Sequence, residues 1–132
     1  MKKTCVVCLL LILILSCVFS FVACSDPIDP VVGKYVEVRS DIDVFFEVHS
    51  NGTATRFVFT KDTSELKRRD EHSWTFDKET QIYTFIDLSP GSSGSDKRIL
   101  VDGNLKFANP DYTSSGYKRI PDSEWPDYIP KN

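Results

Sequence analysis

The chain has 132 residues, 16 of them basic and 19 acidic, with two histidines and four cysteines. That length sets one domain, and the acidic balance excludes the basic face that nucleic-acid binding requires. The cysteines stand at positions 5, 8, 17 and 24, too close to the N-terminus to staple a fold or to supply a metal cluster within it.

Met1-Lys2-Lys3 precedes an apolar run from Val6 to Val22, interrupted only by Cys8, Ser16, Cys17 and Ser20. A positive start followed by such a run is the layout of a secretory signal. The run ends Phe21-Val22-Ala23-Cys24, which resembles the lipobox of bacterial lipoproteins. The resemblance implies a diacylglycerol on the Cys24 thiol, cleavage after Ala23 and fatty-acyl chains such as palmitate on the mature N-terminus. Processing would remove two basic residues and no acidic one, leaving 109 residues and moving the formal charge from −3 to −5. Each buried acyl methylene contributes about 0.8 kcal/mol, so two or three chains hold a small domain on a membrane permanently. An uncleaved membrane helix and a non-lipidated signal are the alternatives. Ser25 follows the cysteine, and in the enterobacterial sorting pattern the absence of Asp there implies the outer membrane. Asp26-Pro27-Ile28-Asp29-Pro30 reads as a stiff tether, because proline and the residue before it disfavour helix.

From Gly33 the chain breaks into short β-type runs separated by turn residues. Gly33 to Arg39 is the first. Asp43 to His49 and Thr53 to Thr60 flank Ser50-Asn51-Gly52, where an Asn-Gly between alternating runs predicts a hairpin with a type I′ turn. Lys61 to Glu71 is polar, with Leu66 as its large apolar residue, and reads as a solvated loop with room for one helical turn. The basic run Lys67-Arg68-Arg69 falls in that loop, its other reading being a contact with anionic lipid or glycan. His72 to Asp77 and Gln81 to Asp87 form a second hairpin, Leu88 to Asp96 a flexible Gly/Ser loop, and Lys97 to Val101 with Leu105 to Ala108 a third hairpin around Asp102-Gly103-Asn104. Gly116 to Ile120 is the last strand. The tail from Pro121, with Trp125, Tyr128 and Pro130, either docks on the domain, engages a partner or is disordered.

About eight strands in neighbour order predict an all-β, up-and-down antiparallel barrel over residues 33–120, which hides its edges by closing. A two-sheet sandwich is the alternative. Residues 1–23 are then the signal, 24–32 the lipidated cysteine and tether, and 121–132 the tail. Several strands are apolar on both faces: Val44, Phe46 and Val48 alternate with Phe45, Glu47 and His49, and Phe57 and Phe59 lie opposite Ala54, Arg56 and Val58.

With Gly33-Lys34-Tyr35 opening the first strand, the hairpin from Phe46 to Phe57, and Gly116-Tyr117-Lys118-Arg119 at the last strand, the chain resembles small lipocalin-like lipoproteins. The resemblance implies that Arg119 packs across Tyr35 and that the barrel holds a small apolar or amphipathic ligand. The aromatic set Phe45, Phe57, Phe59, Tyr83 and Phe85 is the candidate lining, core packing being its plainer reading. Ser93-Gly94-Ser95 is faintly similar to the loop of lysozyme-inhibitor lipoproteins, which implies a rival, protein-binding role. A structural role in the envelope is a third. The lone histidines His49 and His72, the pair Asp41 and Asp43, and the serines from Ser89 to Ser95 read as surface, turn and linker residues. No enzymatic activity, metal or cofactor is expected. The expected partners are the membrane, through Cys24, and a small ligand or an envelope protein.

Overall fold

The structure is a computed structural model that describes residues 27–131 apart from Ser115. The expected signal segment and Cys24 lie outside the described residues. The rest is all-β, with one 3-10 turn near the C-terminus. The strands are β1 Gly33–Val38, β2 Ile42–Val48, β3 Thr53–Thr60 and β4 Leu66–Asp77, then β5 Ile82–Asp87, β6 Ser95–Val101, β7 Asn104–Phe107 and β8 Lys118–Ile120. All pair antiparallel in the order β7-β6-β5-β4-β3-β2-β1-β8. The sheet curls until its ends meet at a bridge between Leu105 and Tyr117, giving a nearly closed barrel in place of a sandwich. Gly116 makes that meeting possible: its φ is +69°, and a Cβ there would overlap the Leu105 carbonyl oxygen.

The turns follow local chemistry with two corrections. At Ser50-Asn51-Gly52 only Gly52 has positive φ, +84°, so the loop is a three-residue connection with glycine in the left-handed position and not a type I′ turn. The Asn51 carboxamide oxygen accepts from the Thr53 amide at 3.1 Å and its hydroxyl at 2.6 Å, which rewards a local Asx arrangement instead. The type I′ geometry occurs at Asp102 and Gly103, with φ of +51° and +79°, directly between paired Val101 and Asn104.

The larger correction is β4. Leu66 to Glu71, expected as loop or helical turn, is extended and pairs with β3, with a register shift at Val58/Phe59 that leaves Lys67 outside the ladder. Its charges alternate like any strand's side chains: Asp70 and His72 point inward and are buried, while Arg69 and Glu71 are exposed. The run was illegible because the barrel interior it faces is polar at that level.

Two apolar clusters result from the two-faced strands. The barrel interior holds Val31, Tyr35, Val44, Phe46, Val48, Ala54, Tyr83, Phe85, Leu105 and Tyr117. The second lies on the outside of β1 to β3, where the tail docks: Phe45, Phe57 and Phe59 pack with Ile120 and Ile129, and Trp125 closes over them. Of the three fates open to the tail, docking is the one observed.

Candidate functional site

The five predicted lining residues do not form one surface. Phe45, Phe57 and Phe59 point outward beneath the tail, with Trp125 edge-on to Phe45 at 5.5 Å and Tyr128 edge-on to Phe59 at 5.0 Å between ring centroids. Tyr83 and Phe85 point inward, Tyr83 stacked on Phe76 at 4.4 Å and Phe85 edge-on to Phe46 at 5.0 Å. The pairing of Phe45 with Phe57 and of Trp74 with Phe85 puts each residue on its partner's face, so the split follows from register alone.

The middle of the barrel is filled by rings. Phe46 stacks on Tyr117 at 5.1 Å and meets His72 edge-on at 5.7 Å. Eight strands enclose little more than side chains can fill, and here they fill it at mid-height.

One end is stoppered by the segment that precedes β1, the expected tether. Val31 is fully buried, and the Tyr35 hydroxyl donates to its carbonyl oxygen at 2.7 Å. The Tyr83 hydroxyl donates to Asp29 Oδ1 at 2.8 Å; burial and then that bond push the phenol well above its ordinary range. Arg119 donates to the carbonyl oxygens of Pro30 and Val32 and to the Tyr35 hydroxyl, and its guanidinium lies 5.3 Å from the Tyr35 ring centroid. The resemblance implied that last contact; the latch onto the tether is additional.

The other end, where β1–β2, β3–β4 and β5–β6 connect, is polar and open. Asp70 sits inside it, 5% exposed. Its Oδ2 alone accepts from Arg56 Nε and Nη2, at 2.9 and 2.7 Å, and from Arg68 Nε at 2.8 Å. Burial alone would pull the Arg56 guanidinium down, and Asp70 and Tyr117 together more than offset this, so it titrates above its ordinary value. Arg39 donates to buried Glu37 at 2.9 Å. Arg98 is 3% exposed, held by Asp96 at 2.7 Å and laid over the Phe107 ring at 3.6 Å. Its Nη1, like His72 Nδ1, is buried without a hydrogen-bond partner. His72 is held below its ordinary pKa of 6.5, first by burial and then by the Arg56 charge, against the opposing pull of Asp87 and Asp70. Asp87, at the rim, is drawn down to about 2 by hydrogen bonds from Ser89.

Two hollows open on this end, one on each side of Arg56. The larger, about 420 Å³, is walled by Arg39, Arg56, Lys67, Arg68 and Tyr117 over a floor of Ile42, Val44 and Val58. The smaller, about 210 Å³, is bordered by Arg56, His72, Phe85, Asp87 and Asp96. Other hollows, of about 480 and 500 Å³, lie on the barrel wall beside Phe107 and Tyr112 and beside Asp29 and Pro30; neither gathers like charges.

No family model, curated protein or solved structure matches the chain.

The site therefore rests on its own residues. Among the described residues no group of three or more His, Cys, Asp or Glu stands where it could hold a metal ion, and no helix is long and apolar enough to cross a membrane. His72, expected as an edge residue, is instead buried at 5% exposure inside the polar end. Arg56, Arg68 and Tyr117 were not picked out as site residues. The signal for Arg56 was present: an arginine on the face shared by Ala54 and Val58 is a charge directed into a core, and such a charge demands a partner. Nothing local placed Arg68 beside it, since that needs β4 paired with β3.

Proposed function

We propose that this chain is a lipid-anchored binding module of the cell envelope, outer-membrane in a two-membrane host, that takes a small amphipathic ligand in the open end of its barrel. The observation that carries the reading is the polarity of the barrel along its axis. The tether stoppers one end through Val31 and Arg119, and Cys24 precedes Pro27 by three residues, roughly 11 Å of chain at full stretch. A lipid on Cys24 would thus hold the stoppered end near the bilayer and direct the charged mouth away from it, roughly 20 Å further out for a strand of β2's length. The filled middle confines any ligand to the mouth and argues against a deep apolar calyx.

A second reading, a protein-binding lipoprotein working through its outer face, is favoured by the same filled middle. Native mass spectrometry of the full chain, expressed in a bacterium and released from its membranes in detergent, distinguishes the two. A bound small molecule supports the binding module. Chain free of small molecules but carrying a polypeptide moves the assignment to the second reading. In parallel, Cys24→Ala should abolish fatty-acyl labelling and release the chain from the membrane fraction; retention of both would refute the anchor.

A further inference from the structure

The larger hollow of the mouth has an excess of cations over the carboxylates that answer them. Four cationic side chains line it and no carboxylate does. Behind them, Glu37 answers Arg39 at 2.9 Å, and Glu65 answers Lys67 only loosely at 3.8 Å with both groups exposed. Arg56 and Arg68 share the single Oδ2 of Asp70, so one positive charge of that pair has no counter-charge. Asp87 and Asp96 border the smaller hollow across Arg56, and Asp41, Asp43 and Asp62, in or beside the β1–β2 and β3–β4 turns, line neither hollow. An arginine presents five N–H donors in a planar fork, and its side chain at Arg56 is three-quarters withdrawn from water. A desolvated cation of this kind is where an added anion gains most.

The floor is of the opposite character. Val44 is 3% exposed, and Ile42 and Val58 are half-buried members of the interior cluster. Apolar side chains beneath a ring of guanidinium groups match a ligand with two parts, and about 420 Å³ falls in the usual range for small-molecule sites, about 300–1,000 Å³.

We propose that this hollow binds a small amphipathic anion, a carboxylate or phosphate on a short aliphatic body, with its charge on Arg56 and Arg68 and its body against Ile42, Val44 and Val58. The proposal rests on the mouth-binding reading and specifies its ligand class. Tyr117 shares that wall and sets its hydroxyl beside Arg56. Selection then requires both halves of the ligand: a bare anion gains nothing from the floor, and a neutral alkyl chain leaves the shared arginine charge unanswered.

The test is NMR titration of the full chain in phosphatidylcholine nanodiscs, reading the arginine Nε–H signals. The probes are hexanoate, acetate and hexanol, with hexyl phosphate as the second anion. Hexanoate and hexyl phosphate should bind at least about tenfold more tightly than acetate or hexanol, as expected for one charge-assisted contact joined to apolar burial. Arg68→Gln should weaken hexanoate about tenfold while leaving the melting temperature near that of the parent. Arg56 still holds Asp70 in that variant. Arg68→Lys should retain most of the binding. Hexanol equal to hexanoate would overturn the anion assignment and leave the mouth reading standing. Acetate equal to hexanoate would reduce the site to a plain anion site and overturn the amphipathic part. Full affinity in Arg68→Gln would overturn the placement, and binding of none of the probes would overturn the proposed ligand class, while the mouth reading stands or falls separately on the native mass spectrometry of the released chain.

Discussion

Ile129→Ala probes whether the tail is part of the folded unit or a loose strap. Ile129 is 2% exposed and sits among Phe45, Phe57, Phe59 and Ile120. Removing three carbons from a buried side chain costs about 2.4 kcal/mol at about 0.8 kcal/mol per methylene, before any cavity term. Its backbone contributes only a 3-10 turn over Asp122–Glu124 and single bonds such as Ile129 N–H to Pro126 O at 3.2 Å; beside Ile129 it is held by the Trp125 and Tyr128 rings and by Asp122 on Lys34 at 3.1 Å. Each ordered backbone residue costs about 1–2 kcal/mol in entropy, so the tail docks only through the side chains it buries. Loss of Ile129 should then release it whole, and the stability loss should saturate at the tail's own docking free energy. Urea unfolding of Ile129→Ala should show a loss of about 2–3 kcal/mol, and amide exchange at Glu124 and Trp125 should rise to the rate of an unfolded peptide. Trp125→Ala added to it should cost little more, because Trp125 contacts the same Phe45 and Phe57. A loss below about 0.5 kcal/mol, within the scatter of a surface change, or full additivity of the two, would refute a cooperatively docked tail.

Gly116→Ala should destabilise the chain by at least about 2 kcal/mol, since it combines a left-handed φ with overlap at the Leu105 carbonyl; a melting temperature within a degree or two of the parent would show that the β7–β8 closure tolerates displacement. Arg119→Met keeps the stem but removes three acceptor contacts around the tether; amide exchange at Val31 and Val32 should accelerate, and unchanged protection there would mean Val31 burial alone holds the stopper. The pH dependence carries a defined sign. His72 is held below its ordinary value of 6.5 in the folded chain, so the unfolded chain binds the proton first and stability falls as pH drops through 6.5 toward the folded value. His72→Asn should flatten the urea-midpoint profile over that window. A parent profile already flat there would contradict the placement of His72.

Much of the architecture was legible before any coordinates. The Gly- and Asp-marked turns and the period-2 alternation located seven of the eight strands close to their observed bounds, and neighbour order gave the antiparallel barrel. The double-faced apolar strands left a second apolar side beyond the core, but alternation could not say that Phe45, Phe57 and Phe59 would meet the tail while Tyr83 and Phe85 met Phe46. That choice depends on which face curls inward. The sequence likewise determined two turn positions, because glycine at Gly52 and Gly103 answers a local demand for positive φ, whereas Gly116 answers one set by Leu105 across the closure.

The mouth was decided by tertiary structure alone. Leu66 to Glu71 has no apolar alternation to betray a strand, and the Lys67-Arg68-Arg69 run has the composition of a solvated loop. Only pairing with β3 brings Arg68 and Arg56, twelve positions apart in the chain, to one oxygen of Asp70. Apolar burial writes a periodic signal because every inward position wants the same kind of residue. A polar interior writes none, because each charge there is satisfied by a particular partner that the chain brings near only when it folds.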